Sequence, residues 1–288
     1  MTPPLAGMRV IEISSFVAAP LGGMTLAQLG AEVIRVDPIG GAADVSRWPL
    51  APSGASLYWA GLNKGKRSVT LDFRTDQGRQ ILTDLVADSG PDGGIVLTNA
   101  GRPWLAYEAL AARRPDLIHL RITGRYDGSA AVDYTVNAAT GFPLATGPQE
   151  LAGPVNHVLP AWDVACGMYA AVGLLAAERH RRRTGQGRAI TLPLADVALA
   201  VTSHLGFLAE ARLTGAGRPR IGNHVYRGFA RDFRGLQGWR GIGGRGACRQ
   251  VPAVVTVVAR LPSRNTLHRS GMIRKQFHSC TCKMSSCW

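Results

Sequence analysis

Strand-like and helix-like segments alternate through the first 125 residues, and this alternation restricts the chain to few architectures. The run MRVIEI (8–13) is short and β-rich. SSFVAAPLGGMTLAQLG (14–30) reads as a loop and a helix, with Pro20 near the helix start and Gly30 past its end. AEVIRVDP (31–38) is the next strand, closed by Asp37-Pro38. Strand, helix and strand in this order imply a parallel pair joined by a right-handed crossover. RSVTLDF (67–73), GIVLTN (94–99) and LIHLRITG (117–124) are further strands. Between them TDQGRQILTDLVADSG (75–90), with Thr75 or Asp76 as cap, and WLAYEALAARRPD (104–116) read as helices. The continuous apolarity of GIVLTN suits a strand covered on both faces. The expected fold is a doubly wound parallel α/β sheet.

Residues 126–160 are rich in Gly, Pro, Asn and Thr and read as loop. A long helix follows Asp163 and ends in RHRRRTGQG, whose cations suit a helix C-terminus, with Gly185 as left-handed cap. RAITLPL (188–194) is a strand, and ADVALAVTSHLGFLAEARL (195–213) a second long helix. Past Phe233 no period is visible; VPAVVTVVARL is strand-like but has no evident pairing partner. The expected organisation is a large domain over 1–195, a helix and linker over 196–233 leading to an incomplete small domain, and a divergent basic tail over 234–288.

The net charge of +14 is concentrated in that tail. After Phe233 there are ten Lys and Arg and no Asp or Glu, so the 33 basic and 19 acidic groups leave 23 against 19, a net of +4, in residues 1–233. Cys248, Cys280, Cys282 and Cys287 also lie there, in a spacing that does not suit zinc. Without amphipathic period, interleaved aromatics or an RNA-binding signature, the tail does not read as a nucleic-acid binder. Its bias, with 29 Arg against 4 Lys in the chain, fits a shifted reading frame of a GC-rich gene better than a new domain. No apolar run reaches the length of a membrane span, and MTPPLAGMRVIEIS lacks the pattern of a signal peptide. A cytoplasmic protein that binds neither membrane nor nucleic acid is expected.

Ligands of parallel α/β sheets bind beyond the carboxyl ends of the strands. The candidate loops are therefore SSFVAAP (14–20), DPIGGAAD (37–44), TNAGRP (98–103) and TGRYDG (123–128), with LNKGKRS (62–68) beside them. PLGGMTLAQLG does not fit the dinucleotide fingerprint, and neither a P-loop nor G-x-S-x-G is present. His157, His180 and His204 lack metal-ligand spacing and read as surface or core histidines. Lys64, Lys66 and Arg67 around Gly65 are either a solvated turn or a cradle for a phosphorylated ligand. Asp163 opens an otherwise apolar, small-residue helix. It reads as a helix cap or as a nucleophile, and the two roles are compatible, because the N–H groups that hold a capping carboxylate could also hold an oxyanion.

Three segments together resemble the class III coenzyme A transferases (CaiB/BaiF family): GMRVIEISSFVAAPLGGMTLAQLGAEVIRVDPIGG, LNKGKRSVTLDFRTDQGR and PAWDVACGMYAAVGLLAAERHRRRTGQGRAITLPLADV. SRWP, VDYTVN and VNHVLPAWD narrow the likeness to a branch that moves CoA between the two carboxyls of one diacid. The resemblance covers about residues 5–233. It implies a Rossmann-like large domain, a smaller second domain, and subunits that interlock as a homodimer. Asp163 is the implied nucleophile, acting through an aspartyl-CoA intermediate. CoA contacts are implied at Val17, Ala18, Leu62, Asn63, Lys64, Gly65, Lys66, Asn99, Gly124 and Arg125. No metal is implied, and no cofactor beyond the CoA moiety of an acyl-CoA substrate. An intermolecular transferase and an inactive CoA-binding fragment remain as alternatives.

Overall fold

A computed structural model describes residues 2–226 and the strand segments 229–234, 240–245 and 254–256. The chain divides into two units, Met1–Gly222 and Asn223–Trp288.

The first unit is built on six parallel strands. In chain order its elements are β1 (Arg9–Ile13), α1 (Ala18–Gln28), β2 (Glu32–Pro38), α2 (Leu57–Leu62), β3 (Arg67–Leu71), α3 (Asp76–Ala87), β4 (Ile95–Thr98), α4 (Tyr107–Ala111), β5 (Ile118–Thr123), α5 (Asp133–Thr140), α6 (Phe142–Ala145), α7 (Ala161–Thr184), β6 (Arg188–Pro193), α8 (Leu194–His204) and α9 (Phe207–Thr214). The sheet order is β3-β2-β1-β4-β5-β6, with every neighbouring pair parallel. The doubly wound α/β expectation therefore holds. Strand order reverses between β1 and β4, which opens a crevice at their carboxyl ends.

Alternation along the strands divides the core into two layers. Val10, Ile95 and Leu97 face one way, into a cluster with Leu26, Ala170 and Leu174 of α1 and α7. Ile11, Ile13 and Val96 face the other, against Leu82, Val86 and Leu110 of α3 and α4. α1 and α7 approach closely because their contact lacks side chains: a Cβ on Gly167 would stand 2.7 Å from the carbonyl oxygen of Ala18. The Thr75 side chain caps α3, accepting the Gly78 N–H at 3.1 Å.

Three local expectations give way to tertiary context. Residues 126–160 hold two short helices, α5 and α6, separated by Gly141 in the left-handed region. Their composition is weak in helix formers, and buried Val136, Asn137 and Pro143 stabilise them instead. The long helix expected over 195–213 is α8 and α9, bent by 65° at Leu205 and Gly206, whose φ is +80°. The apolar period continues across this break, so periodicity alone does not reveal it. The helix expected over 104–116 is a 3₁₀ turn, Pro103–Leu105, then the five-residue α4, with extended Ala106 between them.

In the second unit β7 (Phe229–Arg234), β8 (Arg240–Arg245) and β9 (Val254–Thr256) form an antiparallel sheet in that order. The strand-like VPAVVTVVARL segment thus finds a partner: Val255 is in register with Gly243. Apart from β8, β9 and Arg234, the tail expected over 234–288 lies outside the described residues. Among the described residues no single helix is long and apolar enough to cross a membrane.

Candidate active site

A cavity of about 820 Å³ opens at the carboxyl ends of β1, β4 and β5. Its walls are the loop after β1 (Ser15 to Ala18), Asn99, the end of β5 with the turn at Gly128–Val132, and Arg47 with Tyr58. Asp133 and Asp163 reach it from the starts of α5 and α7. The two loops at the reversal of strand order are tied together. Asn99 accepts the Ser15 N–H at 3.1 Å and donates to the Ser15 carbonyl at 2.9 Å. The next residue, Phe16, has φ 67°, a strained value for a bulky side chain, and its N–H is held by Asp44 Oδ2 at 2.9 Å.

Asp163 stands in the first turn of α7, whose N-cap is Pro160. It is not the cap expected from the sequence. The capping group is Asp133, thirty residues earlier, whose Oδ2 accepts the N–H groups of Trp162 at 2.8 Å and Asp163 at 3.1 Å. Ala161 and Val164 donate to the carbonyls of Leu159 and Pro160. All four leading N–H groups of α7 are thereby engaged, so the expectation that they hold an oxyanion does not stand. Asp133 is itself buried, and its Oδ1 lies 2.6 Å from His157 Nε2. Behind it Trp162 Nε1 donates to Asn137, which donates to Asn156.

Among the described residues nothing donates a hydrogen bond to the Asp163 carboxylate. Burial, followed by the negative charge of Asp133, pushes its pKa up to about 6, against a smaller opposing pull from Arg47. Near neutral pH it is ionised yet more basic than an ordinary carboxylate, which suits a nucleophile. Cys166, one turn along, is fully buried and its thiol is pushed up to about 12 by burial, so it is inert.

Val17, Ala18, Asn99 and Gly124 line the cavity with Asp163. Leu62, Asn63, Lys64, Gly65 and Lys66 do not. Lys64 and Gly65 are exposed, and half-buried Leu62 closes α2. Lys66 Nζ turns inward, donating at 2.8 Å each to Glu12, the Pro20 carbonyl and Asn63. Asn63 also accepts from Arg35, which further binds Asp37, Asp44 and the Ser14 carbonyl. Gly23 makes room for this buried network, since a Cβ there would stand 1.7 Å from Glu12 Oε2. Arg125 lines a second cavity of about 370 Å³, with Asp127, Val136 and Asp196. Sequence reasoning assigned no site role to Asp133, His157, Arg47 or Tyr58. Three of them lie in the segments SRWP, VDYTVN and VNHVLPAWD, but only the fold brings them to Asp163.

The family model described as CoA-transferase family III matches residues 5–266, running past Phe233. A 2-methylfumaryl-CoA isomerase of Chloroflexus aurantiacus is 54% identical over 238 residues, which cover 82% of this chain and 58% of that protein. A succinate–glutarate CoA-transferase of Agrobacterium fabrum is 33% identical over 242 residues, covering 77% of this chain and 58% of its own. Among solved structures, a CaiB/BaiF family protein from Brucella suis superposes with a TM-score of 0.75 at 29% identity, covering 85% of this chain and 67% of that one. The hypothetical protein Rv3272 from Mycobacterium tuberculosis gives 0.63 at 31% identity, over 73% of this chain and 60% of its own. The chain thus spans less than two thirds of the curated relatives it matches.

Proposed function

We propose that this chain, which belongs to CoA-transferase family III, interconverts 2-methylfumaryl-CoA and 3-methylfumaryl-CoA by intramolecular CoA transfer. The observation that carries the reading is the Asp163 carboxylate. It stands in the cavity with no hydrogen bond from the described residues and a pKa near 6, while neighbouring Asp133 is committed to the α7 backbone. The 54% identity to a 2-methylfumaryl-CoA isomerase supports the choice of substrate.

The Asp163 carboxylate attacks the C1 thioester carbonyl, forming a mixed anhydride and releasing CoA thiolate. The thiolate attacks the aspartyl carbonyl of that anhydride, leaving an aspartyl-CoA thioester and free methylfumarate. The C4 carboxylate of the retained diacid then attacks the aspartyl thioester, giving a second anhydride and CoA thiolate. Attack of the thiolate at C4 completes the transfer and restores the Asp163 carboxylate. Each step exchanges one acyl partner for another, and no oxidant or metal enters the balance. Every intermediate is hydrolysable, so the pocket must exclude water while it turns over. A homodimer is part of this proposal and is read by sedimentation.

The test is to incubate the full chain with 2-methylfumaryl-CoA, without a second carboxylate, and follow both products and protein mass. The 3-methylfumaryl isomer and a CoA adduct on the Asp163 peptide are expected. Turnover that requires an added acid would indicate intermolecular transfer. CoA binding without any adduct would indicate an inactive fragment.

A further inference from the structure

The proposed reaction makes a demand that Asp163 does not meet. A free diacid must stay in the cavity while CoA changes ends, and the carboxylate that is not reacting needs a cation. Arg47 is placed for this. Its backbone is fixed on both sides: the Arg47 N–H donates to the Asp44 carbonyl at 3.1 Å, and its carbonyl accepts the Ser56 hydroxyl. The guanidinium lies over two rings of the cavity wall, 5.5 Å from the Phe16 centroid and 5.0 Å from that of Tyr58. Aromatic faces of this kind orient a guanidinium while leaving its N–H edge open.

No ion pair or hydrogen bond engages that guanidinium among the described residues. The adjacent acid, Asp44, is fully buried and occupied by the Phe16 N–H and Arg35. Arg47 and Asp163 share the cavity wall, and the arginine's charge is felt at the Asp163 carboxyl. Arg121 also lines the cavity, from β5, but its charge bears on His119 instead.

We propose that Arg47 is the carboxylate-recognition residue of this cavity: held over Phe16 and Tyr58, it takes the free carboxylate of a dicarboxylic acyl thioester and retains the released diacid. This rests on the acyl-transfer reading of Asp163. The CoA phosphates are the other anions that an open guanidinium could take, and the test separates the two.

Binding is measured by calorimetry in the non-acylating Asp163→Asn protein and in Asp163→Asn/Arg47→Gln. The ligands are 2-methylfumaryl-CoA, (E)-2-methylbut-2-enoyl-CoA, in which a methyl replaces the free carboxylate, and CoA alone. In Asp163→Asn the diacid thioester is expected to bind about tenfold tighter than its methyl analogue, the size of one charge-assisted contact. Arg47→Gln brings that ratio toward one and leaves CoA alone unchanged; Arg47→Lys restores part of it. Equal or undetectable binding of both thioesters in Asp163→Asn overturns the proposal. So does an unchanged ratio in the double variant, including a parallel loss for all three ligands, which would mark a phosphate contact. Absence of an Asp163 adduct in the unmutated chain counts against the acyl-transfer reading and is a separate measurement.

Discussion

Asp133 Oδ2 accepts the backbone N–H of Asp163 at 3.1 Å, so the carboxylate that caps α7 is distinct from the carboxylate left open to the cavity. Two acids with different duties stand side by side. Asp133 is buried and fully engaged; Asp163 is half-buried, and its carboxylate takes no hydrogen bond from the described residues. The charge of Asp133 adds to burial in raising the Asp163 pKa. The environment thus assigns the roles.

Removal of the proposed nucleophile, Asp163, is the most direct check. Asp163→Asn is expected to lower kcat by a factor on the order of 10³ or more and to abolish the CoA adduct. Stopped assays with mass analysis of the α7 peptide measure both. Wild-type turnover from a clean preparation would remove Asp163 from the mechanism.

The raised pKa sets the acid limb of the rate profile. In the proposed reaction only the ionised carboxylate attacks, so kcat/KM is expected to fall as pH drops through about 6, approaching tenfold per unit below it. A limb near the ordinary value of 3.8 would show that neither burial nor Asp133 acts on Asp163 in solution.

The same shift has a stability signature. The folded chain holds the Asp163 proton more tightly, at about 6, than the unfolded chain does at 3.8. Asp163 therefore favours the fold below its unfolded pKa, and this contribution is lost as pH rises through about 6. Asp163→Asn is expected to be more stable than the parent at pH 7.5 by roughly 1–3 kcal/mol and equal to it near pH 4. Denaturant melts at the two pH values measure the difference.

Asp133 separates capping from charge. Asp133→Ala removes the acceptor for two N–H groups and is expected to cost about 1–2 kcal/mol. Asp133→Asn keeps an acceptor but not the charge. It should lose less stability and move the acid limb of kcat/KM downward. Identical behaviour of the two variants in both readouts would contradict the division of roles.

Lys66 is expected to act through the fold. Its ammonium neutralises fully buried Glu12, whose pKa burial pushes up against that pairing. Lys66→Met leaves the Glu12 carboxylate to the Ser14 hydroxyl at 2.8 Å and to Arg35 at 3.8 Å, so its charge stays partly compensated and the loss should be about 2–3 kcal/mol. Lys66→Met/Glu12→Gln should recover part of it. A selective loss of CoA affinity at unchanged stability would instead place Lys66 at the ligand.

Local pattern carried much of the architecture. Ile95–Thr98 announces itself through apolar continuity, and Glu32–Pro38 through its β-branched residues and the Asp37-Pro38 stop. The Thr75 cap and the left-handed Gly185 are also readable, because each depends on neighbours in the chain. α5 is not readable, because burial of Val136 and Asn137 stabilises it rather than its own propensity. The break at Gly206 is hidden for the opposite reason, since both helices present apolar faces in one period.

The sequence by itself determined the alternation that makes a parallel sheet, the loops at its carboxyl edge, and an acid at the start of the long helix α7. Each follows from steric and hydrophobic preferences that act over a few residues. Only the tertiary structure decided what those residues do. It brought Asp133 and His157 behind Asp163, turned Lys66 inward onto Glu12, and left Arg47 open over Phe16 and Tyr58. Charge, desolvation and hydrogen bonding act through space between residues tens of positions apart, and folding sets those distances.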